Sequence, residues 1–509
     1  MLVQSDTLAP DLTSGRLLAR NTLWNLFGQV APAAVAIVSI PLLVKGIGVD
    51  RFGVLSLAWV VIGYFSLFDL GLGRTLTKMV AEKLGGDQAE DIAPLTWTSL
   101  ALMIALGVVG SMVMVFARPL LVDHVLKIPP GLRSETRNVF LWLAISVPIV
   151  TATSGLRGVL EAQQRFGILS GIRVPMGVFS FAAPLAVLPF SHSLVPIVIV
   201  LVIGRTLAAF GHLWACFHYT PSLRNVMLRP SLALPVLRFG GWMTISNIAN
   251  PLLMYLDLFF IGVLLSVTAV AYYATPWEII TKFQIIPGAL AGVLFPAFAM
   301  SFVQNRERSS LLLSRGIKYV YLVLFPLMLV LVSFAPEILN LWLGPAFAAH
   351  GTPVLRWLAA GVFVNCLAQI AFGFIQGAGY PDFTAKLHVI ELPVFVGVLW
   401  VMTRHFGIQG AAIAWSARAV ADAAVLLVMS HHLVGEVPRL FSVTFASIAG
   451  ALTAFYVASS PQGLISRALL CAVFLVVFAA ASWYVALSTT ERNLVLRAIA
   501  ASTFSAKTL

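Results

Sequence analysis

RNTLWNLFGQVAPAAVAIVSIPLLVKGIGVDRFGVLSLAWVVIGYFSLFDLGLGRTLTKMVAEK, residues 20–83, is two long apolar runs joined by a short hinge, Lys45-Gly-Ile-Gly-Val-Asp-Arg51. The first run, Asn21 to Val44, carries no charge. A helix of about 20 apolar residues crosses a hydrocarbon core of ~30 Å. The second run returns from Phe52 and holds one acid ahead of its basic end, Asp69, just before Gly-Leu-Gly, and Arg74, Lys78 and Lys83 close it. An acid and a glycine break inside an apolar helix are costly, so they point to a structural or functional role.

Composition extends that reading to the whole chain. Of 509 residues, 60% are hydrophobic and 10% charged, and the mean hydropathy is +0.95. Soluble domains are about a quarter charged, so the chain is expected to be a polytopic membrane protein. The net charge of +12 comes from basic residues in short loops, as the positive-inside rule requires, and no basic-aromatic module for nucleic acid is present. Cys216, Cys366 and Cys471 are widely separated within apolar segments, and the nine histidines form no metal-binding spacing. No cofactor is expected. The polar segment before residue 21 is expected to stay in place, because the run after it is too long for a cleaved signal.

About 14 spans follow from length and loop signals: 21–45, 52–81, 94–117, 138–164, 168–190, 194–219, 238–265, 269–303, 313–335, 352–378, 384–405, 409–432, 440–459 and 464–488. Arg16, Arg20, Lys78, Arg165, Arg224, Arg229, Arg306, Arg315, Arg439 and Arg492 fall on one side. The smaller opposite set includes Lys45, Arg51, Arg356, Arg404 and Arg467, and a basic loop at 118–137 is its exception. The bias places both termini inside.

A shift of roughly 215 residues superposes the hydropathy of two halves, as in transporters built from repeats. It lays Leu160–Val174 on Ile375–Val389; nearby offsets lay Arg20 and Trp24 on Arg238 and Trp242, and Ile203–Thr220 on Ser416–Leu433. The expected fold is all-α: two six-helix bundles related by a pseudo-two-fold along the membrane normal, plus two C-terminal helices. The corresponding segments are 1–20 (cytoplasmic), 21–220 (first bundle), 221–237 (linker), 238–433 (second bundle), 434–490 (accessory helices) and 491–509 (tail). Such carriers place substrate between halves near the midplane and work by alternating access.

NTLWNLFGQ, GVDRFGVLSLA and FDLGLGRTLTKMVAE, followed by 271–299, 334–359 and 406–427, together resemble the polysaccharide biosynthesis flippases of the multidrug/oligosaccharidyl-lipid/polysaccharide exporter superfamily. The likeness runs through nearly the whole chain, in the order and spacing of its segments. It implies fourteen spans, a cationic cavity, no cofactor and no enzymatic step. It also implies movement of an undecaprenyl-pyrophosphate-linked repeat unit to the periplasmic leaflet of the bacterial inner membrane, for O-antigen, capsule or exopolysaccharide. A proton or sodium ion is the candidate coupling ion. Membrane lipids, a polysaccharide polymerase and export machinery are the candidate partners.

A pyrophosphate needs cations in the membrane. Arg205 and Arg418, matched by the repeat and near mid-span, are the leading pair, each able to donate bidentately; the structural alternative pairs Arg418 with Asp422 one turn on. Arg157 heads an Arg157/Glu161/Arg165 face, and Lys282 sits four residues after Glu278. These are either substrate-facing or self-neutralising. Asp69, Glu278, Asp257, Glu391 and Asp422 are the gating or proton-coupling candidates, since a carboxylate in apolar surroundings takes up a proton more readily; ion pairs and helix-end contacts are the plainer roles. Trp59, Tyr64, Trp242, Tyr255, Tyr272 and Tyr273 offer faces for sugars or for packing.

Three other classes frame these expectations. A multidrug cation antiporter of the same superfamily calls for an acidic cavity. A membrane glycosyltransferase or polymerase calls for a large extramembrane catalytic loop. A scaffold needs no midplane charge.

Overall fold

The computed structural model describes residues 32, 34–64, 72–85, 89–163, 165–304, 306–434, 438–461, 463–489 and 491–493. Asp69, the segment 1–20 and the tail from 494 lie outside the described residues, as do the side chains of Tyr64, Arg74 and Trp242.

Among the described residues the chain is all helix, with no strand. Only a helix satisfies every backbone donor and acceptor within one hydrocarbon-embedded segment, barrels aside. The helices are α1 (Ala34–Ile47), α2 (Val49–Tyr64), α3 (Leu72–Gly85), α4 (Ile92–Leu120), α5 (Pro130–Ala162), α6 (Phe166–Val187), α7 (Leu194–Tyr219), α8 (Ala233–Leu264), α9 (Val267–Thr281), α10 (Ile285–Gln304), α11 (Arg306–Ser333), α12 (Ala335–Leu343), α13 (Pro345–Gly377), α14 (Pro381–Val434), α15 (Pro438–Ser459) and α16 (Leu464–Ala481). Nine helical segments among the described residues are long and apolar enough to cross a membrane. The chain is a multi-pass membrane protein.

The basic stretch 118–137, expected to be a loop, is largely helical. α4 runs on to Leu120, a π turn covers Leu121–Val125, and α5 starts at Pro130, a residue pre-set for the first helical turn. With 33 residues in α5, its length is ~50 Å at 1.5 Å per residue. The helix outruns the hydrocarbon, and a hydropathy window sees only its apolar part. Arg137 Nη2 meets Asp123 Oδ2 at 2.5 Å across this extension.

The run read as one span, 269–303, is two helices joined by a 3-10 turn at Lys282–Gln284. Pro287 has no N–H for the carbonyl of Phe283 and its ring crowds it, which loosens the α-ladder there. Lys282 thus opens a tightened turn, not a continuous helical face. In α14 a single residue breaks the helix: Gly407, at φ 61° and ψ −144°, a backbone state closed to other residues. It falls between the expected spans 384–405 and 409–432.

By packing, the chain divides into two units, Met1–Glu278 with Ala385–Trp415, and Ile279–Thr384 with Ser416–Leu509. In the first, α5 is central and packs on α2, α3, α4, α6 and α7. Leu76, Val80, Met103, Val159, Leu160 and Cys216 form part of its core. In lipid such packing is held by close van der Waals fit, not by escape from water. The Gly-Val-Asp-Arg hinge is tied down by polar contacts. Arg51 Nε lies 3.0 Å from Glu135, and Glu135 accepts hydrogen bonds from the Ser193 hydroxyl (2.8 Å) and the Leu194 amide. That carboxylate therefore caps the N-terminus of α7, where the helix dipole favours an anion.

In the second unit α13 is central and packs on α10, α11, α12 and α15. Phe298–Phe374, Tyr321–Phe363, Phe325–Phe478 and Phe363–Phe455, with ring centroids 4.5–5.6 Å apart, lace α10, α11, α13, α15 and α16 together. Arg467 of α16 is buried and grips Glu337 of α12 with both terminal nitrogens, Nη1 at 3.0 Å, while Nη1 also donates to the Ser333 carbonyl at 3.1 Å.

Candidate functional site

Among the spans of the first unit, α5, α6 and α7 line an open cavity of about 530 Å³. Arg157 and Glu161 reach it from α5, Arg173 from α6, and Arg205 and His212 from α7, with Ser154, Ser170 and Ser180 between them. Helical periodicity explains the grouping. Arg157 and Glu161 are one turn apart, and Arg205 and His212 are two turns apart, so each pair shares a face.

Three arginines face one glutamate. Arg157 Nε lies 3.4 Å from Glu161 Oε1 on a partly exposed face, which neutralises part of that charge. Arg205 is different: its Nε is buried and has no hydrogen-bond partner among the described residues. A buried donor left unmade is costly and is normally satisfied by protein, water or ligand. His212 donates from Nδ1 to the Ala208 carbonyl at 2.7 Å, so the neutral ring leaves Nε2 as an acceptor. Close helix packing fixes the height of Arg205. At the preceding residue, Gly204, an added Cβ would lie 2.3 Å from the Phe179 ring of α6, so only glycine lets α7 approach α6 this closely.

The other expected site residues fall elsewhere. Arg418 sits half-buried on α14 beyond the Gly407 break, with Asp422 buried one turn further on. Glu391 is half-buried on the earlier part of α14. Asp257 is fully buried in α8 and accepts from the Tyr273 hydroxyl of α9 and from the Leu258 amide at 2.8 Å. Glu278 lines a second, smaller cavity described below. Arg173 and His212 were not among the residues singled out from sequence. Arg173 lies inside the span 168–190, and the signal available for it was its charge there.

Comparison with known proteins follows from this geometry. The family described as polysaccharide biosynthesis protein matches residues 18–302. A Shigella flexneri protein described as an O-antigen transporter is 28% identical over 411 residues, covering 80% of this chain and 96% of the relative. Among solved structures, the lipid II flippase MurJ in an inward closed conformation has a TM-score of 0.69 at 11% identity, covering 92% of this chain and 99% of that one. An inward-facing multidrug resistance MATE transporter of the MOP superfamily has a TM-score of 0.63 at 16% identity, covering 85% and 96%. At these identities the two structures establish a shared fold.

Proposed function

The chain belongs to the polysaccharide biosynthesis protein family, and from that premise we propose that it is a transporter, not an enzyme, that flips an undecaprenyl-pyrophosphate-linked repeat unit between membrane leaflets for surface polysaccharide assembly. The observation that carries this reading is the cavity of α5–α7, where Arg157, Arg173 and Arg205 are lined up with one acid, Glu161, among the described residues.

A diphosphate cannot enter hydrocarbon bare. Guanidinium forks meet its oxygens with short, charge-assisted hydrogen bonds, each worth about 1.5–3 kcal/mol when made to a charged group. Arg205, whose Nε lacks a partner among the described residues, gains most from such a ligand. Arg418 and Lys282 serve the same cargo along its path. The polyprenyl chain stays in lipid, so the protein shelters only the head.

In this reading both termini face the cytoplasm, and segments 21–220 and 238–433 act as the two moving bundles of an alternating-access cycle, with 434–490 as accessory helices. A proton or sodium ion drives it through one of the in-span acids, Glu278, Asp257, Glu391, Asp422 or Asp69. Polymerase and export components receive the product. The arginine-rich cavity disfavours a cation antiporter, although that class shares the fold.

The test is translocation of a pyrophosphate-linked polyprenyl oligosaccharide in proteoliposomes, with wild type and Arg205→Gln/Arg418→Gln side by side. Transport by wild type and its loss in the variant supports function and site together. Transport by both removes the site and keeps the function. Transport of a cationic dye in place of the lipid overturns the proposal.

A further inference from the structure

The second cavity of the first unit measures about 160 Å³ and lies among α1, α2, α8 and α9. Trp59, Tyr255 and Trp277 line it together with Glu278, Ser56 and Thr275. The aromatic side chains are braced from behind. Trp59 is wedged edge-on to Phe52 (centroids 6.0 Å apart) and tilted on Phe181 (5.2 Å). Trp277 stands edge-on to Trp415 at 5.0 Å and parallel to Tyr273 at 6.4 Å, and Tyr273 in turn is held by buried Asp257.

Two features set this pocket apart from a packing gap. First, the indole Nε1–H of Trp59 is buried without a hydrogen-bond partner among the described residues. A buried indole N–H normally finds an acceptor. Second, the polar groups are matched to a polyol. Ser56 and Thr275 spend their hydrogens on the carbonyls of Phe52 (2.9 Å) and Ala271 (3.2 Å), which leaves oxygen lone pairs to accept. A carboxylate such as Glu278 offers up to about four acceptor positions. Braced aromatic faces attract the partly positive C–H bonds of a sugar ring through their quadrupole. Pockets of this kind, apolar walls with a few placed polar groups, are where small ligands bind.

We infer that this pocket is a sugar subsite, which takes one pyranose of the lipid-linked glycan with Trp59 Nε1–H donating to a sugar oxygen and Glu278 accepting from sugar hydroxyls. The inference rests on the flippase reading. Helix α6 borders the arginine cavity through Ser180, and Phe181, the next residue, packs on Trp59.

The experiment measures binding to the full chain in nanodiscs of two kinds of probe: bare undecaprenyl diphosphate, and the same lipid carrying a single hexose of gluco, galacto, manno or N-acetylgluco configuration. Wild type is compared with Trp59→Phe, which removes the indole N–H together with one ring, and with the isosteric Glu278→Gln. The expected result is tighter binding of at least one glycosylated probe than of the bare lipid by wild type. Trp59→Phe should lower that preference by up to about tenfold, the weight of one lost hydrogen bond, and Glu278→Gln should lower it too. With 5-fluorotryptophan incorporated, the Trp59 ¹⁹F resonance, assigned by its loss in Trp59→Phe, should move with that glycosylated probe and stay put with the bare one. A wild type that binds every probe alike, or variants that keep the full preference, would overturn the subsite while leaving the flippase reading intact. Binding of none of the probes would overturn the flippase reading itself.

Discussion

Arg205 and Arg157 line the same cavity from α7 and α5, but among the described residues only Arg157 has a carboxylate beside it, Glu161 at 3.4 Å. Arg205 Nε is left buried with nothing to donate to among the described residues. The two arginines therefore differ in what a ligand offers them. For Arg157 an incoming diphosphate competes with an existing partner; for Arg205 it supplies a missing one.

Arg205→Gln should accordingly reduce transport of a pyrophosphate-linked lipid more than Arg157→Gln does. A lost charge-assisted bond of about 1.5–3 kcal/mol corresponds to roughly tenfold to a hundredfold. Initial rates in proteoliposomes, normalised to inserted protein, check the order of the two variants. Equal losses would mean that Glu161 does not restrain Arg157.

Gly204→Val should disturb the cavity from outside it. The first added carbon meets the Phe179 ring at 2.3 Å, and overpacking of this kind costs typically about 1–3 kcal/mol. The expected outcome is a lower thermal midpoint in detergent, measured by tryptophan fluorescence. Phe179→Ala in the same chain should restore part of it, since the clash is with that ring.

The Arg467–Glu337 pair makes a different prediction. Arg467 is 5% exposed, so Glu337→Gln strands a buried guanidinium charge. Breaking a buried pair from one side costs on the order of 3–5 kcal/mol, whereas replacing both partners by apolar groups costs far less. Glu337 is itself partly exposed, with its side chain at 37%, which pulls the figure down. Urea or thermal unfolding should therefore rank Glu337→Gln below Arg467→Met/Glu337→Leu in stability.

A pH dependence is built into the segment after α16. Glu491 accepts hydrogen bonds from Lys318 Nζ at 2.8 and 2.9 Å and from the Tyr319 hydroxyl. Lys318 chiefly, then Tyr319, hold its carboxyl down at about 2 from an ordinary 4.5. A depressed carboxylate stabilises the docked state above its unfolded value and loses that contribution as pH falls through the folded one. Docking of Glu491 on α11 should thus be full at neutral pH and fade between about 4.5 and about 2. Hydrogen exchange at 487–493 across that range measures it, and Glu491→Gln should expose the segment at every pH.

Much of this was legible before any coordinates. The uncharged run from Asn21 to Val44 and the sparse charge thereafter announce membrane helices, because a helix pairs all its polar backbone groups within one lipid-embedded segment. Arg157 and Arg205 stood out because an in-span arginine is expensive wherever it sits. The error at 118–137 has the same origin seen from the other side: hydropathy reports the membrane-embedded part of a helix and is silent once the helix emerges into water. The 3-10 turn at Lys282–Gln284 is a departure from regular helix that a four-residue spacing does not report, although Pro287 marks the place.

By itself, then, the sequence determined the solvent in which each segment lives, the helical class that this solvent imposes, and which charges bear a cost. Tertiary structure alone decided which of those charges meet. Arg157, Arg173 and Arg205 lie on three helices and share a cavity only because α5, α6 and α7 pack closely enough, with Gly204 against Phe179. Trp59 and Glu278, more than two hundred residues apart, line one pocket for the same reason. Burial energy is local and additive along a chain, so it can be read from residue type; juxtaposition depends on the packing of distant surfaces, which no single stretch encodes.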